Sequence, residues 1–207
     1  MEKSLEPDPD LAGQPIILPR PRVNAEWPQV DGSPSHIVEH PAADGSLSEV
    51  WSTRIGKGET KNNPILTSPI IVGQTLFAMD ARSNVTAIQL GATNPVWEKL
   101  LVPAGEETEG SVGGGLAYDQ DTLYAATAYG YVLALNPLNG GVYWWKNIGV
   151  PIRGAPIVAD GRVFVLSIDN TLHVLSHQDR ALLWKHQGIE ENAGLLGTAS
   201  VAVSNDL

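Results

Sequence analysis

Residues 130–151 read GYVLALNPLNGGVYWWKNIGVP. An apolar run leads into Asn-Pro-Leu-Asn-Gly-Gly, and a second run carries the adjacent Trp144 and Trp145. Short aromatic and β-branched runs on either side of a turn-forming cluster read as a β-hairpin. Nearly the same phrase stands at 83–103 and again at 170–190. Alignment on tryptophan puts Trp51, Trp97, Trp144 and Trp184 in one column. Pro69 to Trp97, Leu116 to Trp144 and Pro156 to Trp184 each span 28 positions without a gap. Between them Leu76, Leu123 and Val163 align, as do Val85, Val132 and Leu172, then Ala87, Ala134 and Val174, then Ile88, Leu135 and Leu175. The stretch from each tryptophan to the next aligned segment varies instead, over 18, 19, 12 and 16 positions.

A core of constant length with a variable connector reads as a repeated four-stranded antiparallel sheet joined by loops at a rim, where insertions are tolerated. Periods of 40 and 47 residues with four strands apiece mark the blades of a β-propeller. Runs such as YVLAL (131–135) and RVFVLS (162–167) are nearly continuously apolar rather than alternating, which suits strands covered on both faces. The expected fold is therefore all-β, with three full blades at about 66–102, 113–149 and 153–188. A two-sheet sandwich is the competing arrangement of the same strands. VWSTRIG at 50–56 is expected as a closing outer strand, and TASVAV at 198–203 as the start of a further blade. Each tryptophan is expected to pack between adjacent blades. Propellers close with four to eight blades, so three blades with flanking strands read as roughly half a ring. A half-ring leaves two apolar faces uncovered, and on its own would be marginal, self-associating or completed by further segments.

Residues 1–45 differ in texture. They hold eight of the fifteen prolines, which remove backbone donors and disfavour helix. This arm is expected to be extended and to lie on a surface or be flexible.

A net charge of −10 and a pI near 4.8 argue against nucleic-acid binding. The absence of cysteine excludes disulfides, thiol catalysis and cysteine-ligated zinc within these residues. No apolar run is long enough to span a membrane as a helix. His36 with His40, and His173 with His177, have a spacing of four, but no third ligand accompanies either pair, and both read as solvated. GSVGGG at 110–115 precedes a strand rather than a helix, so it reads as a tight inter-blade turn and not as a phosphate cradle. Glu106–Glu107 and Glu190–Glu191 read as solvated loop faces rather than acid/base pairs. No metal, cofactor or catalytic residue is expected.

DTLYAATAYGYVLALNPLNGGVYWWK (121–146) and GRVFVLSIDNTLHVLSHQDRALLWK (161–185) resemble the pyrroloquinoline-quinone-type propeller repeat. The arm LPRPRVNAEWPQVDGSPSH (18–36) and GIEENAGLLGTAS (188–200) are similar to the propeller lipoprotein of the outer-membrane β-barrel assembly machine, whose ring has eight blades. The resemblance covers the chain from about residue 5 onward and about the first half of that family's length. It implies a non-catalytic periplasmic scaffold, tethered to the outer membrane through a lipidated cysteine that these residues do not include. The implied partner is the periplasmic part of the barrel-inserting subunit.

In that family the partner-binding loop follows the third blade, which corresponds here to residues 189–198. The candidates are Ile189, Glu190, Glu191, Leu195, Leu196 and Gly197, with Leu196 where the family's contact motif carries arginine. Leu195 and Leu196 equally suit a cap on the blade junction. Ile152 and Arg153 have the motif's residue types one blade earlier and form a second candidate. Two other functions fit the repeat: a ligand-sensing propeller domain of a larger receptor, and a fragment of a quinone-dependent dehydrogenase.

Overall fold

The computed structural model describes residues 13, 15–43, 45–108, 112–189 and 200–204. Among them stand three antiparallel sheets of four strands each, with strand order following chain order. The first contains β1 (Ile70–Val72), β2 (Thr75–Met79), β3 (Asn84–Gln89) and β4 (Trp97–Leu100). The second contains β5 (Gly114–Asp119), β6 (Thr122–Thr127), β7 (Tyr131–Leu135) and β8 (Val142–Asn147). The third contains β9 (Ile157–Ala159), β10 (Arg162–Leu166), β11 (Thr171–Ser176) and β12 (Leu182–Gln187). The only helical element among the described residues is a three-residue 3-10 turn, Val30–Gly32. The fold is an all-β partial propeller, and the sandwich alternative falls.

The aligned sequence columns become pairing columns. Leu76 opposes Ile88, Leu123 opposes Leu135 and Val163 opposes Leu175. Ala87, Ala134 and Val174 oppose Trp97, Trp144 and Trp184. Local turn chemistry sets this register. Gln120 and Asp121 both take positive φ, as do Asp160 and Gly161, which is the two-residue hairpin turn whose twist matches the flanking strands.

Apolar side chains on both faces of the middle sheet explain its unbroken hydrophobic runs. Leu116, Leu123, Ala125, Leu133 and Leu135 pack toward the first sheet, against Phe77, Met79 and Val85. Ala117, Tyr124, Ala126, Val132 and Ala134 pack toward the third, against Val158, Val163 and Leu175. The first strands β1, β5 and β9 neighbour one another, which places them at the inner edge of the ring.

The turn in the opening stretch has a second role. Asn136 Oδ1 accepts the Leu138 amide at 2.8 Å, and the Gly140 amide donates to the Asn136 carbonyl at 2.8 Å. The Pro137 carbonyl is thereby presented to Trp97 of the preceding blade, whose Nε1 donates to it at 2.8 Å. Gly140 has φ +69, and a Cβ there would lie 2.8 Å from the Trp97 ring. The hairpin turn is thus a socket for the neighbouring tryptophan. Trp144 repeats the contact, donating to the His177 carbonyl at 2.9 Å. A further column, not singled out from the sequence, completes the packing: Phe77, Tyr124 and Phe164 meet Trp97, Trp144 and Trp184 with ring centroids 6.1, 6.1 and 6.4 Å apart.

Three expectations are corrected. Residues 50–56 form no strand, because no strand lies beside them to pair with; Trp51 nevertheless docks like its successors, donating to the Ala92 carbonyl at 2.9 Å. Of the segment 198–203, residues 198 and 199 lie outside the described residues, and 200–203 join no strand ladder, since no described residue supplies a hairpin partner. The arm is not confined to a surface: Gln29 is 2% exposed and hydrogen-bonded inside the fold.

Candidate partner-binding face

Glu190, Glu191, Leu195, Leu196 and Gly197 lie outside the described residues. Ile189, at the end of the third blade, is 80% exposed. Its carbonyl accepts Asn170 Nδ2 at 2.9 Å, and the Gly188 amide donates to the Asn170 carbonyl at 2.9 Å. Asn170 takes φ +58 in the β10–β11 turn, a conformation asparagine adopts more readily than most residues.

The second candidate converges on the same turn. Ile152 forms an isolated antiparallel bridge with Ser167, and the Ile168 amide donates to the Pro151 carbonyl at 3.0 Å. The Ile152 side chain, however, is wholly buried in the cluster between the second and third sheets. It is a core residue and offers nothing to a partner, so this half of the pair is corrected. Arg153 is partly exposed, and its carbonyl accepts the Gly114 amide at 3.1 Å. Sequence reading missed Ile168, which is 44% exposed at the tip of the turn. The available signal was an isoleucine inside the polar turn Ser-Ile-Asp-Asn. Ile189, Ile168 and Arg153 thus belong to one end of the blade.

Ser167 organises this turn. Its hydroxyl lies within hydrogen-bond reach of Asp169 Oδ1, the Thr171 carbonyl and His173 Nε2. A hydroxyl has one proton, so the set is satisfied when His173 donates from Nε2 and Ser167 donates to the Asp169 carboxylate. Burial pushes the Asp169 carboxyl up, but donors from Ser167 and Thr171 outweigh it and hold the group below its ordinary range. Burial pushes His173 down; Asp169 opposes that shift and Lys185 adds to it. His173 is 8% exposed, so the expectation of a solvated histidine is corrected. The four-residue spacings bring no ligands together: His36 sits 3.7 Å from Asp31, while His40 Nδ1 meets the Pro19 carbonyl.

The sign of the His173 shift fixes a pH response. Its folded pKa lies below the ordinary 6.5, so the unfolded chain binds the extra proton. The stability tied to neutral His173 is present above about pH 6.5 and is lost as pH falls toward the folded value. The denaturation midpoint is expected to drop between pH 7.5 and 5.5, and His173→Gln should shrink that drop. An equal drop in both proteins would contradict the assignment.

Of the glycine run, Gly110 and Ser111 lie outside the described residues and Gly114–Gly115 open β5. The run serves close approach of two blades. Gly113 and Gly115 face Arg153 and Ala155, at the start of the next blade, with no room for a Cβ.

Three sheets sharing one inner edge, with Trp51, Trp97 and Trp144 each seated in a turn of the blade that follows, define a β-propeller of pyrroloquinoline-quinone-type repeats. A family model described as outer membrane protein assembly factor BamB matches residues 94–207, more than half of the chain, and the chain belongs to that family. Its similarity to BamB of Yersinia pestis is 27% identity over 168 residues, covering 78% of this chain and 41% of that protein. An uncharacterized protein of Rickettsia conorii is 26% identical over 127 residues, covering 61% of this chain and 30% of the relative. The chain therefore spans less than half the length of these curated relatives. Among solved structures, quinohemoprotein alcohol dehydrogenase from Comamonas testosteroni superposes with a TM-score of 0.63 at 17% identity, over 80% of this chain and 27% of that one. That likeness carries the fold and nothing further.

Proposed function

We propose that this chain belongs to a non-catalytic scaffold in outer-membrane β-barrel assembly, acting on the periplasmic side of that membrane. Its partner in this reading is the periplasmic portion of the barrel-inserting subunit. The observation that carries it is the family match over residues 94–207. In this reading the end of the third blade contributes the contact surface, with Ile189 and Ile168 as exposed apolar anchors at the same end as the partly exposed Arg153. Arginine is among the residue types enriched at interface hot spots, and the two isoleucines add apolar area that a partner could cover.

The test is copurification of the full native protein with the barrel-inserting subunit from detergent-solubilised membranes. An Ile168→Asp, Ile189→Asp double variant should lose at least about tenfold of the recovered partner while its thermal midpoint is unchanged, because both side chains are exposed. Undiminished recovery would remove the surface assignment. Failure of the unaltered protein to recover the subunit would remove the scaffold reading itself.

A further inference from the structure

The arm contacts the inner strands in a pattern that follows the blade order. The Trp27 amide donates to the Ile71 carbonyl at 2.7 Å, and the Ile71 amide returns a bond to the Trp27 carbonyl at 2.9 Å. The next residue, Pro28, accepts the Tyr118 amide at 2.8 Å. Then Gln29 takes Val158 by both ends of its carboxamide: Nε2 donates to the Val158 carbonyl and Oε1 accepts the Val158 amide, each at 2.9 Å. Pro34 accepts the Val203 amide at 2.8 Å.

Ile71, Tyr118 and Val158 hold the same place in β1, β5 and β9, each two positions beyond the start of its aligned segment. In the following segment Val203 faces the preceding sheet, as Tyr118 and Val158 do: Tyr118 faces the first sheet, Val158 the second, and Val203 the third. The arm therefore meets three successive inner strands at one register position, in order, and then the segment that follows them.

We infer that residues 27–34 are an axial strap, a segment that ties successive blades together across the inner edge of the ring, independently of the tryptophan contacts made from the outer strands. The residue types fit the task. An innermost strand has backbone groups on the side away from its hairpin partner, and these need acceptors when buried. Proline offers only a carbonyl, and at position 28 only a carbonyl is used. Where the arm backbone leaves the strands, the Gln29 carboxamide supplies the donor and acceptor of a peptide group. The chain then turns through Asp31 at φ +55 and Gly32 at φ +81, and a Cβ on Gly32 would lie 3.0 Å from the Trp27 ring. That turn sets Val30 against the cluster of Ile157, Phe164 and Val174 on the far face of the third sheet, where Val201 and Val203 also pack. The link is long in sequence, with 129 positions between Gln29 and Val158.

Residue-resolved hydrogen exchange on the full chain tests the strap. The amides of Ile71, Tyr118, Val158 and Val203 should exchange at least about a hundredfold more slowly than open strand edges. Exchange at open-edge rates in the unaltered protein would overturn the inference without any variant. Gln29→Ala should speed Val158 about tenfold or more while Leu123 and Val163, deep in their ladders, keep their rates. Val158 unchanged in that variant, with the fold intact, would also overturn it. Should Gln29→Ala unfold the whole chain, Gln29→Glu decides. It keeps the acceptor for the Val158 amide, so Val158 should remain slower than an open edge. Open-edge exchange there with Leu123 still protected would contradict the role given to Gln29.

Discussion

Gly115→Ala is expected to destabilise the chain by about 3 kcal/mol, toward the upper end of the usual overpacking range. A Cβ at this position would lie 2.6 Å from Ala155 Cβ and 2.7 Å from Ala155 Cα. The obstacle is backbone of the next blade, so no rotamer change relieves it. Nor can the next blade withdraw freely, because the Arg153 carbonyl accepts the Gly114 amide and Ile152 is locked in the shared core. Relief therefore requires the second and third blades to move apart along a packed interface. Gly58→Ala is the matched control: nothing lies within 4 Å of its added Cβ, and its stability should stay within about 0.5 kcal/mol of the unaltered chain. Denaturant midpoints at constant slope measure both. A Gly115→Ala midpoint as close to the original as that of the control would refute the close-approach argument.

Trp144→Ala should lower stability by about 3 kcal/mol, at the low end for a large aromatic because the ring is only partly buried. Two losses combine. The ring leaves its contact with Tyr124 and the cluster between the second and third sheets, and the His177 carbonyl loses its donor. Trp144→Phe separates them by keeping an aromatic ring while removing the donor, for about 1 kcal/mol. Trp184→Ala provides the contrast. Trp184 occupies the same column but is 46% exposed on β12, whose six residues are all exposed. Its removal from this chain should change stability by less than about 1 kcal/mol. Equal effects at Trp144 and Trp184 would mean that the ring packs within its own blade rather than serving the neighbouring one.

The two glycines at these contacts show where sequence reading stops. Gly140 was legible as a turn former, and Gly113–Gly115 as a tight turn between blades. That Gly140 clears space for Trp97, and Gly115 for Ala155, depends on how one sheet lies against the next. In the candidate face, Ile189 was placed by its position after the third blade. Ile152 was misplaced because a motif of residue types carries no information about which way a side chain points once two sheets close over it. Ile168 was passed over because an isolated apolar residue in a turn resembles core until its exposure is known.

What the sequence by itself determined is the blade: four strands, their register, and the tryptophan column. Each of these rests on pairings between residues close along the chain, where alternation of apolar runs and turn chemistry leaves one hairpin register that buries the right faces. Only the tertiary structure decided the axial strap, the glycine approach and the shared turn behind the candidate face. Those contacts join segments such as Gln29 and Val158, 129 positions apart. No local period encodes such a contact, because it arises only when completed sheets stack and bring their inner edges together.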